Sequence, residues 1–196
     1  ERVPTKQMLF DIAAAGPIAG FVVAVPALYI GVLLSRVVPL PPDFVGLSLG
    51  EPLLYQFVEW DIWGTIPEGY TLNLHPMAFA AWFGLVMTAL NLFPVGQLDG
   101  GHISYATLAS RSTIVTLGTV FVIVTLALVV SISWAAWAVL LVLMLLVSGV
   151  RHPRTVDDHI PLDKPRYWVA LGTLVIFILC FTPVPIEFIG LSTGPE

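Results

Sequence analysis

Long apolar runs organise this chain, with little of the apolar/polar alternation that marks half-buried strands. Five runs approach the roughly 20 helical residues that a ~30 Å hydrocarbon core requires. They cover about 9–34, 76–93, 114–130, 134–150 and 167–181. The third and fourth are separated only by Ser131-Ile132-Ser133, which predicts a tight helical hairpin. The polar remainder collects mainly in 35–75 and 151–166, and no solenoid-type repeat is visible. The pattern predicts an all-α fold, a polytopic transmembrane helical bundle with about five spanning helices, in a single membrane-embedded domain over 1–196.

Composition narrows the class further. The chain is 57% hydrophobic and only 11% charged, with a mean hydropathy of +0.91. A soluble domain carries about a quarter charged residues. The partner to expect is the lipid bilayer. Nucleic acid is not expected, because the few basic residues are too scattered to build a phosphate-binding face. Cys180 is the only cysteine, so no internal disulfide can form. The sequence opens Glu1-Arg2-Val3-Pro4, without methionine or a signal-peptide pattern. That start is expected of a piece of a longer protein.

Five crossings would sort the basic residues sharply. Arg2, Lys6, Arg111, Arg151, Arg154, Lys164 and Arg166 fall on one side, and Arg36 alone on the other. The positive-inside rule makes the first side cytoplasmic. Segment 35–75 is then extracytoplasmic. It carries Asp43, Glu51, Glu59, Asp61 and Glu68 and is proline-punctuated at Pro39, Pro41 and Pro42. It is expected as an irregular loop or short re-entrant pieces at the outer surface. Segment 151–166, RHPRTVDDHIPLDKPR, is polar and proline-punctuated and reads as a cytoplasmic connection. Its His152 and His159 match no metal-site spacing.

Two stretches carry candidate chemistry. The first run contains DIAAAGPIAG, where Gly16 and Gly20 stand in GxxxG spacing and let another helix approach closely. Ordinary helix packing accounts for that by itself. Pro17 and Pro26 are expected to bend the same helix. The second run ends in NLFPVGQLDGGH, which brings a carboxylate, Asp99, to the edge of an apolar span shortly after Asn91. Ionisable groups at membrane depth are costly and face polar cavities or partners. Pro94 has no amide hydrogen and should leave the Leu90 carbonyl without its helical partner, while Gly96, Gly100 and Gly101 allow unusual backbone. Such a carboxylate could ligate zinc, bind a transported cation, relay protons, or mark the water boundary.

NLFPVGQLDGGH resembles the Asn-x-x-Pro-x-x-x-x-Asp-Gly motif of the site-2 proteases, the intramembrane zinc metalloproteases. AGPIAG resembles the small-residue motif that lies upstream of it in that family. The run from His75 to His102 is most similar to the branch found in cyanobacteria and chloroplasts, and the Arg151-His152-Pro153 loop is similar as well. The resemblance implies that Asp99 is the third protein ligand of a catalytic Zn2+. It implies that Asn91 helps hold substrate or stabilise the tetrahedral intermediate, and that Pro94, Gly100 and Gly101 shape the turn. It also implies membrane-spanning protein substrates and residence in a prokaryotic plasma membrane or a thylakoid/chloroplast membrane, with the active-site end toward the cytoplasm.

The family's other half is an H-E-x-x-H helix, whose two histidines ligate and whose glutamate is the general base. None of His75, His102, His152 and His159 begins such a motif. In the family it would lie upstream of Glu1. The chain is therefore expected to be the C-terminal portion of a protease and inactive alone, since one ligand and no base do not suffice. A shortened inactive relative acting as a membrane scaffold is the competing account. So is an ion-coupled transporter or channel, although transporters of that kind often carry paired broken helices and only one break is visible. His102 lies three residues after Asp99 and would share its face if helix resumes there. His75, at the opposite end of its span, is too remote to share a metal with Asp99.

Overall fold

The computed structural model describes residues 5–41, 46–129, 134–149, 155–157, 159–184 and 186–189. In chain order its elements are α1 (Lys6–Leu33), β1 (Arg36–Pro39), β2 (Gly46–Leu49), α2 (Leu53–Trp63), β3 (Tyr70–Asn73) and α3 (Pro76–Leu92). There follow α4 (Asp99–Leu108), a 3-10 turn (Ala109–Arg111), α5 (Ser112–Val129), α6 (Ala135–Ser148), α7 (Lys164–Cys180) and β4 (Ile186–Ile189). The chain is mostly helical.

Among the described residues, two helical segments are long and apolar enough to cross a membrane: α1, and the stretch Asp99–Val129 made of α4 and α5. Only 28% and 22% of their most apolar windows are buried. A core helix of a soluble protein would be mostly buried, and these windows are not. Ile12, Phe121 and Leu128 are 71%, 71% and 80% exposed. The other expected crossings coincide with α3, α6 and α7, which are shorter. The serine-flanked link at 131–133 lies outside the described residues.

α1 starts at Thr5, whose hydroxyl accepts from the Met8 N–H at 3.3 Å. Pro17 and Pro26 both lie inside this one continuous helix. α1 packs along α3, and small residues set the spacing. A methyl on Gly20 would sit 3.4 Å from Thr88 Oγ1, and one on Gly84 3.5 Å from Ala24 Cβ. At Gly31 it would collide with the backbone of Ala78. Around this seam Leu28, Val32, Trp82 and Leu85 are fully buried with Tyr55 and Val58 of α2.

The fold departs from all-α in 35–75. β1 pairs antiparallel with β3, with Val37 opposite Leu72 and Val38 opposite Thr71. β2 pairs antiparallel with β4. Where described, the segment is thus a strand, a strand, an eleven-residue helix and a strand, where an irregular loop or short re-entrant pieces were expected. The physical reason is local. Val37, Val38 and Thr71 are β-branched and suit a pleated pair. Tyr55, Val58 and Ile62 recur at helical spacing and turn α2 onto the bundle. The indole N–H of Trp82 then donates to Gly50 O at 2.7 Å, tying this segment to α3.

Segment 151–166, where it is described, packs on the start of α1. Asp157 Oδ1 accepts from the Lys6 backbone N–H at 2.7 Å, and Lys6 Nζ donates to Ile160 O at 2.9 Å. Leu162 is buried with Phe10, Ala13, Ala14 and Ile103. Arg166 bridges Asp11 and Asp163 at 2.6 Å each. The segment is a docked strap over the start of α1. Composition hid this, because a polar segment can dock through a few backbone bonds and one buried leucine.

Candidate metal-ligand site at the α3–α4 turn

α3 ends at Leu92 and α4 begins at Asp99. Between them the backbone folds into short local bonds. The Phe93 N–H donates to Leu90 O at 3.2 Å, Val95 N–H to Phe93 O at 2.8 Å, and Leu98 N–H to Val95 O at 3.2 Å. The Leu90 carbonyl is therefore not orphaned by Pro94, contrary to expectation, because the chain tightens by one residue and Phe93 serves it instead. The Pro94 carbonyl itself accepts from Thr116 Oγ1 of α5 at 2.9 Å. Gly96 has φ of 56°, a left-handed conformation that favours glycine.

Helix resumes at Asp99. α4 has poor intrinsic propensity, with two glycines and several polar residues in ten. Tertiary contact forms it. Gly100 lies so close to Leu92 and Phe93 that a Cβ would sit 2.6 Å from Phe93 O, and closer still to the Leu92 carbonyl. At Gly101 it would sit 3.0 Å from Val95 O and closer to Gly96 O. These two glycines let the start of α4 fold back against the end of α3.

Asp99 is the first residue of α4, where an acidic side chain suits the helix dipole. It is half-buried, as is Asn91 in the last turn of α3. A methyl on Gly16 of α1 would lie 3.5 Å from Asp99 Oδ2. Gly16 and Gly20 are themselves exposed, as are Ala15 and Ala19. Gly16 thus leaves bare space beside the carboxylate, on a small-residue stripe of α1 that is exposed. His102 follows one turn along α4. His75 caps α3 at its other end, its Nδ1 accepting from the Met77 N–H at 3.2 Å. About 25 Å of helix separates it from the turn. His159 is exposed and His152 lies outside the described residues.

Sequence reasoning missed what holds the turn. Phe93 is 2% exposed. Its ring lies 5.0 Å from Phe177, 5.3 Å from Trp137 and 5.9 Å from Phe181. The Trp137 indole donates to Thr182 O at 3.0 Å. The i, i+4 spacing of Phe177 and Phe181 was the available signal, but it does not say which helix they meet. On this side an apolar cavity of about 750 Å³ opens between the turn, α5 and α7, lined among others by Pro94, Gly100, Thr119 and Phe177. Among the described residues, no three His, Cys, Asp or Glu side chains come together to hold a metal.

The profile of Peptidase family M50 matches residues 2–134, more than half of the chain and including the whole turn. The chain belongs to peptidase family M50. The resemblance read from NLFPVGQLDGGH is borne out at that level. The chain is 29% identical over 196 residues to the probable zinc metalloprotease EGY2, chloroplastic, of Arabidopsis thaliana, covering 96% of this chain and 34% of that protein. It is 36% identical over 104 residues to the probable zinc metalloprotease EGY1, chloroplastic, of Oryza sativa subsp. japonica, covering 51% and 18%. Against EGY3 of Oryza sativa subsp. indica, also named a probable chloroplastic zinc metalloprotease, it is 27% identical over 203 residues, covering 92% and 33%. This M50 chain therefore spans about a third of the length of EGY2 of Arabidopsis thaliana and of EGY3 of Oryza sativa subsp. indica. No solved structure matches it.

Proposed function

We propose that this chain is the C-terminal, membrane-embedded part of a site-2-type zinc metalloprotease that cuts membrane-spanning proteins. In this reading Asp99 is a zinc ligand, Asn91 meets the substrate or the tetrahedral intermediate, and Pro94, Gly100 and Gly101 shape the turn. α1, α3, α5, α6 and α7 are five crossings of one domain, with α3 and α4 the halves of a broken helix. The turn faces the cytoplasm or its organellar equivalent. The names of the relatives point to a chloroplast membrane.

The observation that carries the proposal is the approach of Gly16 to Asp99 across α1 and α4. A half-buried carboxylate beside a bare stripe of small side chains leaves room for another helix to bring further ligands within reach. Catalytic zinc uses three protein ligands and an open position, and when bound it makes its water a nucleophile near neutral pH. The described residues fit one of those ligands and not the set. His102 follows Asp99 by one turn of α4, and among the described residues no three ligating side chains come together. No hydrolytic step is therefore assigned to this chain alone, and we expect it to be inactive by itself. Its own contribution is to present Asp99 on a fixed turn and to keep the space over Gly16 and Gly20 clear.

The test uses the full-length protein. Asp99→Ala should lose bound zinc, measured as metal per purified chain, and lose cleavage of a membrane-anchored substrate, with membrane insertion intact. Zinc content and cleavage equal to the unsubstituted protein would remove Asp99 from the site. Chelator-sensitive cleavage by the 196-residue chain alone would refute the expected inactivity.

A further inference from the structure

α2 has two apolar faces, and only one is used inside the fold. Tyr55 and Val58 are buried on the seam with Ala24, Leu28 and Val32 of α1. Turned away from the bundle, Leu53, Phe57 and Trp60 are 49%, 57% and 63% exposed. At 3.6 residues per turn these three fall within an arc of about 60°. Exposed polar residues flank the arc, Gln56 on one side and Asp61 on the other.

The level of α2 along the bundle is fixed by hydrogen bonds to the last turns of α1. The Trp63 indole N–H donates to Val32 O at 3.1 Å. The Tyr29 hydroxyl donates to the Asp61 carboxylate. α1 is 28 residues long, about 42 Å, which exceeds a ~30 Å hydrocarbon core. As a span, α1 therefore extends past the core, and its ends reach the level of the headgroups. There its own outward residues, Ile30, Leu33 and Leu34, are 48%, 55% and 52% exposed. The outward face of α2 continues that surface, and the Trp63 bond holds α2 at this height.

We propose that α2 is a membrane-surface anchor, whose Leu53, Phe57 and Trp60 face rests in the headgroup–acyl boundary at the end of the bundle remote from Asp99. Tryptophan and other amphipathic rings concentrate at that boundary. A helix with an apolar stripe and polar flanks lies in its plane, sunk roughly 5–10 Å. The occupant of this face is lipid. The anchor holds the strand–helix–strand segment flat against the bilayer, with Glu51 and Glu59 in the wall of a separate cavity formed with β1, β3 and Trp82.

This inference rests on α1 being a membrane span, and the experiment separates the two. Cysteine is introduced one position at a time by Gln56→Cys, Phe57→Cys, Trp60→Cys and, on the exposed middle of α1, Val23→Cys. Each chain is reconstituted in phosphatidylcholine vesicles and exposed to a water-soluble maleimide. Cys180 is fully buried, and the unsubstituted chain sets the blank. The expected result is labelling at 57 and 60 about tenfold slower than at 56, equivalent to ~1.4 kcal/mol of protection, with 23 unreactive. Reactive 57 and 60 beside a protected 23 would overturn the anchor alone. A reactive 23 would overturn the span and the anchor with it. Protection at 57 and 60 that grows with the protein-to-lipid ratio would mean a second copy covers this face, and would also overturn the proposal. A measurement without cysteine follows the fluorescence quenched by lipids brominated near the headgroup. Trp60→Phe should remove a share of that quenching, and an unchanged quenched fraction would count against the anchor.

Discussion

Gly100→Ala is the sharpest test of how the turn is built. The added methyl would sit 2.6 Å from Phe93 O and nearer still to the Leu92 carbonyl carbon and oxygen. Ordinary carbon–oxygen contacts start at about 3.3 Å, so the first turn of α4 must move by roughly 0.7 Å or more from the end of α3. The obstacles are backbone atoms held by the Phe93–Leu90 and Val95–Phe93 hydrogen bonds, and no flexible side chain can give way. Overpacking of this kind costs about 1–3 kcal/mol. It outweighs the ~0.5–1 kcal/mol that alanine gains over glycine inside a helix. Gly118→Ala in α5 isolates that gain, since its methyl meets nothing within 4 Å. Denaturant unfolding in mixed micelles, followed by circular dichroism, should therefore show opposite signs: Gly100→Ala less stable than the unsubstituted chain, Gly118→Ala equal or more stable. A Gly100→Ala chain as stable as the unsubstituted one would refute the close-packed turn.

Three further outcomes are expected. Phe93→Ala should cost about 3–5 kcal/mol in the same titration, because the ring is wedged among Trp137, Phe177 and Phe181; a loss below about 1 kcal/mol would mean that the cluster does not hold the turn. Burial first, and then the Glu51 charge, push the Glu59 carboxyl above the usual carboxylate range, with the Tyr55 hydroxyl pulling the other way. The folded chain then binds this proton more tightly than the unfolded chain, so stability is lost as pH rises from the unfolded value near about 4.3 through the raised folded one. Glu59→Gln should raise thermal stability at pH 7 and flatten that decline, and parallel pH profiles for the two proteins would contradict it. In the 196-residue chain, Gly16→Leu should leave stability within about 0.5 kcal/mol, because the position is exposed there. In the full-length protein it should lower the zinc bound per chain by filling the space beside Asp99, and unchanged zinc content would separate Gly16 from the site.

The sequence by itself determined the apolar class of the chain, its family and the position of its odd carboxylate. Membrane-scale apolar runs follow from composition over some 20 residues, and such averages need no knowledge of neighbours. Gly16, Asp99 and Pro94 were legible for a related reason: each breaks the local rule for an apolar helix, and such breaks mark sites. Tertiary structure decided the rest. α4 is helical although DGGHISYATL has weak propensity, because close backbone contact with Leu92 and Phe93 selects that conformation. The polar strap over α1 docks through Lys6, Asp157 and Leu162, partners about 150 residues apart in the chain that no local pattern connects. β1 pairs with β3 although β2 and α2 lie between them in the chain. Above all, the approach of Gly16 to Asp99 joins two motifs 83 positions apart. Each motif suggested its own chemistry, but their closeness is a property of how α1 packs on α3 and α4, set by side-chain volumes along the whole seam.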